Sequence, residues 1–164
     1  MDYSLYTIEK RGIFFKTYLI LKDGILLYTV KGSGFLTRFR IYDQMGLEVL
    51  QIKKLFSFLK LEFRLMEHDS IIAELKKESK LFKNNLLITS IHGDYYLSGN
   101  FKRNDFTLLK GEEEVAKISR HGLFSKQKYG IAIASTEEPL FILGITMVVE
   151  LMIRVQNARN SAAS

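Results

Sequence analysis

Apolar and polar residues alternate along most of this chain, in a unit that recurs about every 20 to 24 residues. Each unit opens with an aromatic residue or leucine, followed two positions later by isoleucine or leucine. The opening pairs are Tyr18 and Ile20, Phe39 and Ile41, Phe63 and Leu65, Leu86 and Ile88, Phe106 and Leu108, and Tyr129 and Ile131. Because side chains two positions apart share one face of a β-strand, each unit is predicted to begin with a half-buried strand.

A second apolar pair follows in most units, nine and twelve positions after the opening residue. The clearest of these pairs are Leu27 and Val30, Ile72 and Leu75, and Val115 and Ile118. Val49 and Ile52 come one position later, as a longer turn or a bulge requires. The unit at Leu86 is the poorest copy, since Ser98 stands where an aliphatic residue is expected.

The polar segments between the paired strands contain the residues that tight turns require. They read KDG at 22–24, DQMG at 43–46, EHDS at 67–70, HGD at 92–94 and KGEEE at 110–114. Glycine and aspartate supply left-handed or side-chain-bonded positions, so each unit is predicted to be a β-hairpin. Five hairpins, with a leading strand in LYTIE and a last strand in YGIAIA, predict about twelve strands in an antiparallel meander.

The most apolar segment, residues 140–155, has no polar stripe, and a helix of that kind must be surrounded by apolar groups. Glu150 interrupts it, with Arg154 at the spacing of an ion pair on one helix face. Sixteen residues span only about 24 Å, short of the roughly 30 Å of bilayer hydrocarbon. A closed sheet of about twelve strands leaves a lumen that its own side chains cannot fill. We therefore predict a mainly β protein, a closed barrel enclosing a C-terminal helix at about 137–158, with no transmembrane span.

The start of this helix carries suitable local signals. Pro139 fits a first helical turn, and Thr136 is expected to cap it. Glu137 and Glu138 complement the positive end of the helix dipole.

Length and composition limit the remaining possibilities. At 164 residues the chain is predicted to form one domain, 1–164, with strands at about 4–134. Without cysteine there is no disulfide, thiol nucleophile or thiolate metal site, which fits a reducing compartment. The first residues, MDYSLYTIEKRG, lack the pattern of a signal peptide. We expect a cytoplasmic protein that can lie peripherally at a membrane.

Several phrases carry a resemblance to a known superfamily over nearly the whole chain. They are FRIYDQMGLEVLQIKK, FRLMEHDSIIAELKKE, FTLLKGEEEVAKISRH, YYLSGNF and LFILGITMVVELM. The sequence resembles the tubby C-terminal superfamily, which includes phospholipid scramblases, and looks most like its LURP-one-related branch. The resemblance implies a barrel threaded by its hydrophobic helix. The cysteine clusters and proline-rich region of scramblases are lacking, so scrambling is not implied. The paired basic residues with which tubby proteins bind phosphoinositides cannot be aligned here and are not carried over.

The hairpin pattern predicts that charge is divided between the two ends of the barrel. The turn rim, where the hairpin turns lie, collects Asp23, Asp43, Glu67, Asp69, Asp94, Glu112, Glu113, Glu114, Glu137 and Glu138. The connection rim, where successive hairpins join, collects Lys31, Lys53, Lys54, Lys76, Lys77, Lys80, Lys83, Lys102, Arg103, Arg120, His121, Lys126 and Lys128. The net charge of +6 and pI of about 9.4 favour acidic partners.

The connection rim supplies the candidate site. Its predicted anion-binding residues are Lys53, Lys54, Lys76, Lys77, Lys80, Arg120 and Lys126. Leu-Phe pairs at 55–56, 81–82 and 123–124 lie beside them, and cations next to apolar tips are typical of peripheral membrane binders. A second interpretation stays open, in which lysines only protect strand ends and keep the protein soluble while the Leu-Phe pairs plug the barrel.

Catalytic chemistry is not indicated. His68, His92 and His121 lie in or beside connections without metal-ligand spacing, and HGD at 92–94 is explained by a turn. No serine has a nucleophile-elbow context, and pairing with Arg154 explains Glu150 better than catalysis does. We therefore expect neither catalytic residues, metal nor cofactor.

The prediction is a non-enzymatic binding module for an anionic membrane surface, such as a phosphoinositide-like headgroup, or for an acidic protein partner. The alternative is a structural or protein-interaction scaffold without a lipid ligand. Nucleic acid is not expected, because the aromatic residues occupy inward strand positions and do not form a stacking platform.

Overall fold

The computed structural model describes residues 1–12, 17–33, 37–56, 60–78, 85–100, 103–119 and 128–163. Over these residues the chain forms twelve strands and one helix. They are β1 (Tyr3–Arg11), β2 (Thr17–Lys22), β3 (Ile25–Gly32), β4 (Arg38–Tyr42), β5 (Glu48–Leu55), β6 (Glu62–Glu67), β7 (Ser70–Lys77), β8 (Leu86–Ser90), β9 (Gly93–Asn100), β10 (Asp105–Lys110), β11 (Glu113–Ser119), β12 (Lys128–Ala134) and α1 (Pro139–Ala162). Each strand pairs antiparallel with its neighbours in sequence, and β1 also pairs with β12. The predicted closed barrel is confirmed.

The barrel interior is formed by the opening pairs of the repeat. Tyr18, Phe39, Phe63 and Phe106 are at most 1% exposed, as are most of their aliphatic partners. Alternation explains this arrangement, since the intervening polar residues point to the outer wall. Burial of these rings supplies much of the hydrophobic stabilisation of the sheet.

Bulges near the turns explain the odd spacing of the second apolar pairs. The pairing register shifts in four hairpins, where the extra residues are Leu27, Val49, Ile72 and Val115. A bulge lets consecutive residues face inward, and Ile72 and Ala73 are both buried. The hairpin of β8 and β9 keeps an unshifted register. The buried aliphatic residue is therefore Leu97, one position before Ser98, where the repeat predicted an aliphatic side chain.

Two hairpin turns have the backbone geometry of tight, twisted connections. Asp23 and Gly24 have φ of 52° and 77°, and His68 and Asp69 have φ of 45° and 66°. Positive φ at both central residues is the type I′ geometry, which matches the right-handed twist of the flanking strands. The turn residues thus set the register that keeps the apolar face inward.

The helix α1 passes through the lumen from the turn rim to the connection rim. Residues 141–153 are all buried, whichever way their side chains point. By length and composition this helix could cross a membrane, but 72% of its most apolar 18-residue window is buried inside the protein. The strands of its own barrel therefore provide the apolar surroundings that its sequence requires.

Gly144 marks a close approach of α1 to the barrel wall. A Cβ atom there would lie 2.5 Å from Leu50 Cδ2 and 2.8 Å from Leu65 Cδ2. The absence of a side chain lets the helix pack directly against β5 and β6.

The helix boundaries differ from the prediction of 137–158. Glu138, not Thr136, is the N-cap, because its carboxylate accepts a hydrogen bond of 2.7 Å from the Phe141 amide. Pro139 occupies the first turn as predicted. At the other end the helix continues to Ala162, and residues 156–162 are exposed beyond the connection rim.

Candidate functional site

A polar cluster lies inside the barrel near the connection rim. Glu150, only 4% exposed, accepts hydrogen bonds from Arg154 Nε at 2.7 Å, from the Tyr18 hydroxyl at 2.7 Å and from the Tyr129 hydroxyl. Arg154 also contacts the Tyr18 hydroxyl. The predicted ion pair of Glu150 and Arg154 is therefore present, and it is joined to β2 and β12.

This cluster has a structural role, because it links α1 to β2 and β12. Burial, reinforced by the neighbouring Glu150 carboxylate, raises the pKa of Tyr18, which keeps its hydroxyl protonated as a donor. Across the described part of the chain, every buried polar side-chain atom has a hydrogen-bond partner. The two tyrosines were missed by the sequence reasoning, although a signal existed, because these are the two units that open with tyrosine and not with phenylalanine or leucine.

The predicted basic residues divide into two groups according to strand alternation. Lys54 lies opposite Phe63, and Lys77 lies opposite Leu86. Both lysines are therefore on the inward face of their strands, at the mouth of the barrel on the connection rim. We call these two the mouth lysines. Lys53 instead belongs to the outer wall. Lys76 also faces outward and lies 3.8 Å from Glu74.

Lys53 is the centre of a row of basic residues on the outer wall. Across β4, β5 and β6 it lies directly opposite Arg38 on one side and Arg64 on the other. Arg64 pairs with Glu74 at 3.0 Å, whereas Arg38 and Lys53 have no ion pair with any described residue. We call Arg38, Lys53 and Arg64 the wall row. The two arginines were absent from the predicted site. Alternation along the strands, which places every second residue on the outer wall, could have revealed them.

The remaining predicted site residues, Lys80, Arg120 and Lys126, lie outside the described residues. The same holds for the Leu-Phe pairs at 81–82 and 123–124. The first pair is described, and Phe56 is 83% exposed at the connection rim. Within the described ranges, the connection rim therefore brings Phe56 near Lys53 and Lys54.

The histidines do not form a metal centre in the described part of the protein. His68 is in the turn between β6 and β7, and the His92 ring packs against Phe141, with centroids 4.7 Å apart. His121 lies outside the described residues. Among those that are described, no three His, Asp or Glu side chains are grouped to hold a metal ion.

These features define a class of protein, a closed antiparallel barrel whose lumen is filled by its own C-terminal hydrophobic helix. The family model for LURP-one-related proteins matches residues 4–150, and the chain belongs to this family. The X-ray structure of a protein from Arabidopsis thaliana has the same fold, with a TM-score of 0.65 and 17% sequence identity over 91% of this chain and 90% of that one. No match was found among curated proteins. The predicted resemblance is thus confirmed.

Proposed function

We propose that this protein is a non-enzymatic binding module whose connection rim docks on anionic phospholipid headgroups at a membrane surface. The observation that carries the proposal is the wall row, in which three basic residues lie directly opposite one another on adjacent strands. Like charges in that position destabilise a sheet by roughly 0.2 to 1 kcal/mol for each pair. Arg64 is already compensated by Glu74, so the repulsion that a bound anion relieves is chiefly that between Arg38 and Lys53. A solubilising role needs no such alignment.

The mouth of the barrel adds further basic and apolar contacts on the same rim. Lys54 and Lys77 have no ion pair with the rest of the described chain, and each basic residue near an anionic surface contributes about 1 kcal/mol. Phe56, highly exposed beside Lys54, can enter the interfacial region of a bilayer. Together these residues support peripheral binding by headgroup contacts and a shallow apolar anchor.

Membership of the LURP-one-related family supports a binding role over catalysis, since barrels of this superfamily are generally non-enzymatic. The interior points the same way. Glu150, the buried acid of the helix, is fully engaged by Arg154 and the two tyrosines. Its hydrogen bonds hold the helix in the barrel.

The test is co-sedimentation with phosphatidylcholine vesicles, with and without phosphatidylserine. We expect pelleting only on the anionic vesicles, fading as salt increases. The variant K53Q/K77Q removes one lysine from the wall row and one from the mouth. The free energy of its binding to anionic vesicles should weaken by about 2 kcal/mol, which lowers the partition coefficient roughly thirtyfold.

A matched control, M45E/I91E, produces the same net-charge change at two exposed positions of the turn rim. A strand of eight residues places the rims about 25 Å apart, beyond the roughly 10 Å screening length at 0.1 M salt. The control should therefore bind nearly as well as the wild type. Equal pelleting on neutral vesicles, or none on either kind, would reject headgroup binding in favour of a scaffold without a lipid ligand.

A further inference from the structure

Exposed apolar side chains concentrate at the turn rim, the end opposite the basic site. Their members include Leu5, Ile25, Met45, Leu47, Ile71 and Ile91. Met45 is 84% exposed and Ile91 is 68% exposed. Such a concentration on one end of a folded domain is typical of an interaction surface. We call these six residues the apolar arc.

The apolar arc runs along the turn rim from β1 to the turn that joins β8 to β9. Its residues come from β1, β3 and β7 and from the turns that join β4 to β5 and β8 to β9. Two neighbouring parts are linked by a side-chain hydrogen bond, because Gln44 Nε2 donates to the Leu26 carbonyl at 2.6 Å. Likewise, the Ile91 amide donates to the Ile72 carbonyl at 3.0 Å. The apolar side chains therefore lie around the same rim, on parts of the barrel that hydrogen bonds hold together.

Met45, the most exposed member of the apolar arc, is held in place by its own turn. Asp43 Oδ1 accepts hydrogen bonds of 2.9 Å from the amides of both Met45 and Leu47. Gly46, with φ of 80°, completes the turn. Because the backbone is fixed, the two side chains project from a preorganised loop, which lowers the entropy lost on binding.

Acidic residues surround the apolar arc, and the two nearby lysines are already engaged. The exposed acids are Asp23, Asp69, Asp94, Glu112 and Glu113, and none of them makes an ion pair with a described residue. Lys22 donates to Ser4 and lies over the Tyr6 ring, while Lys110 pairs with Glu137 at 3.4 Å. The turn rim therefore presents unbalanced negative charge beside apolar groups.

We propose that the turn rim docks an amphipathic segment of a partner protein, one that carries lysine or arginine beside leucine-like side chains. Charge complementarity selects this occupant, since apolar anchors ringed by charge of one sign suit a partner of the opposite sign. An anionic membrane or nucleic acid would be repelled by the same acids. The proposal is independent of headgroup binding, because it uses the other end of the barrel.

The probe is a synthetic helical peptide of about 18 residues with leucine on one face and lysine on the other. Binding to the full chain is followed by fluorescence anisotropy at two salt concentrations. A peptide of the same composition in scrambled order, and one with glutamate in place of lysine, serve as ligand controls. The variants are M45S/L47S for the apolar arc and D69K/D94K for the acids.

Two further variants are matched controls on the protein. L87S removes an exposed apolar side chain outside the apolar arc, and K53E changes charge at the other rim. All substituted side chains are partly or fully exposed, and thermal melting verifies that each variant folds.

We expect M45S/L47S to weaken peptide binding about tenfold, in the range of a truncated interface anchor. D69K/D94K should weaken it about tenfold and flatten its salt dependence. L87S and K53E should change it less than about twofold. Absent binding, equal binding of the scrambled peptide, or an equal loss in L87S would overturn the proposal. Head-to-tail self-association that K53E abolishes and M45S/L47S weakens would also overturn it, by making a second copy the occupant.

Discussion

The buried pair of Glu150 and Arg154 offers the sharpest test of how the polar cluster at the end of α1 stabilises the protein. Their side chains are only 5% and 14% exposed, and Nε lies 2.7 Å from the carboxylate. The change E150Q keeps one acceptor oxygen, replaces the other by an NH2 donor, and leaves the guanidinium uncompensated. Removing one partner of a buried pair costs about 3 to 5 kcal/mol. We expect about 3 kcal/mol, because Arg154 lies near the rim.

The assay is urea unfolding at neutral pH, followed by far-UV circular dichroism and by tyrosine fluorescence, since the chain has no tryptophan. A double-mutant cycle with R154Q isolates the pairwise contribution. In E150Q/R154Q two neutral amides replace the charges at the same helical spacing. The double variant should therefore be less destabilised than the sum of the single variants, with a coupling of at least about 2 kcal/mol.

A second Glu-Arg pair on the outer wall provides a matched control. Arg64 and Glu74 are 3.0 Å apart, but both side chains are 38% exposed. Solvent screening limits the loss from E74Q to about 1 kcal/mol or less. Additive effects in the buried cycle, or an E150Q cost no greater than that of E74Q, would refute the claim that burial strengthens this ion pair.

Three smaller predictions concern the barrel wall. G99A should destabilise by about 2 kcal/mol in urea unfolding, because the added Cβ would lie 2.0 Å from Phe106 Cδ1. D69G should stabilise by about 0.5 to 1 kcal/mol in thermal melts, because it removes a side chain at φ of 66°. K128M should lower the free energy of unfolding by at most about 1 kcal/mol at neutral pH. Lys128 donates a hydrogen bond to the Glu9 carboxylate, and this bond is the largest cause of the lowered pKa of Glu9. A glutamate whose pKa is lowered in the folded state stabilises the fold at pH values above its ordinary pKa. This contribution is lost as pH falls through the pKa of the folded state, so the stabilities of the wild type and the variant should converge in acid.

Each of these has a comparison that could contradict it. G99A combined with F106L should recover part of the loss, and strictly additive effects would argue against a steric cause. D69A should not stabilise, since alanine keeps the left-handed strain. A K128M difference that is unchanged at pH 3 would show that it does not act through the Glu9 carboxylate.

Much of the fold was determined by the sequence alone, because its signals are local. Alternation with a period of two defines strand faces, and turn residues such as Asp23 and Gly24 fix hairpin registers without any distant contact. The ion pair of Glu150 and Arg154 was also predictable, since helical spacing brings residues four apart together. A helix without a polar face required an enclosed position, and antiparallel meandering strands supplied the enclosure.

Tertiary structure decided what depends on the closure of the barrel. Tyr18 and Tyr129 reach Glu150 because β2 and β12 both flank β1, a contact between residues more than 100 positions apart in the first case. Strand pairing aligned the wall row across β4, β5 and β6. Projection of the hairpin turns at one end gathered the apolar arc among acids. The physical reason is that the repeat specifies each hairpin separately, whereas sites arise from the way closure places one hairpin beside the next.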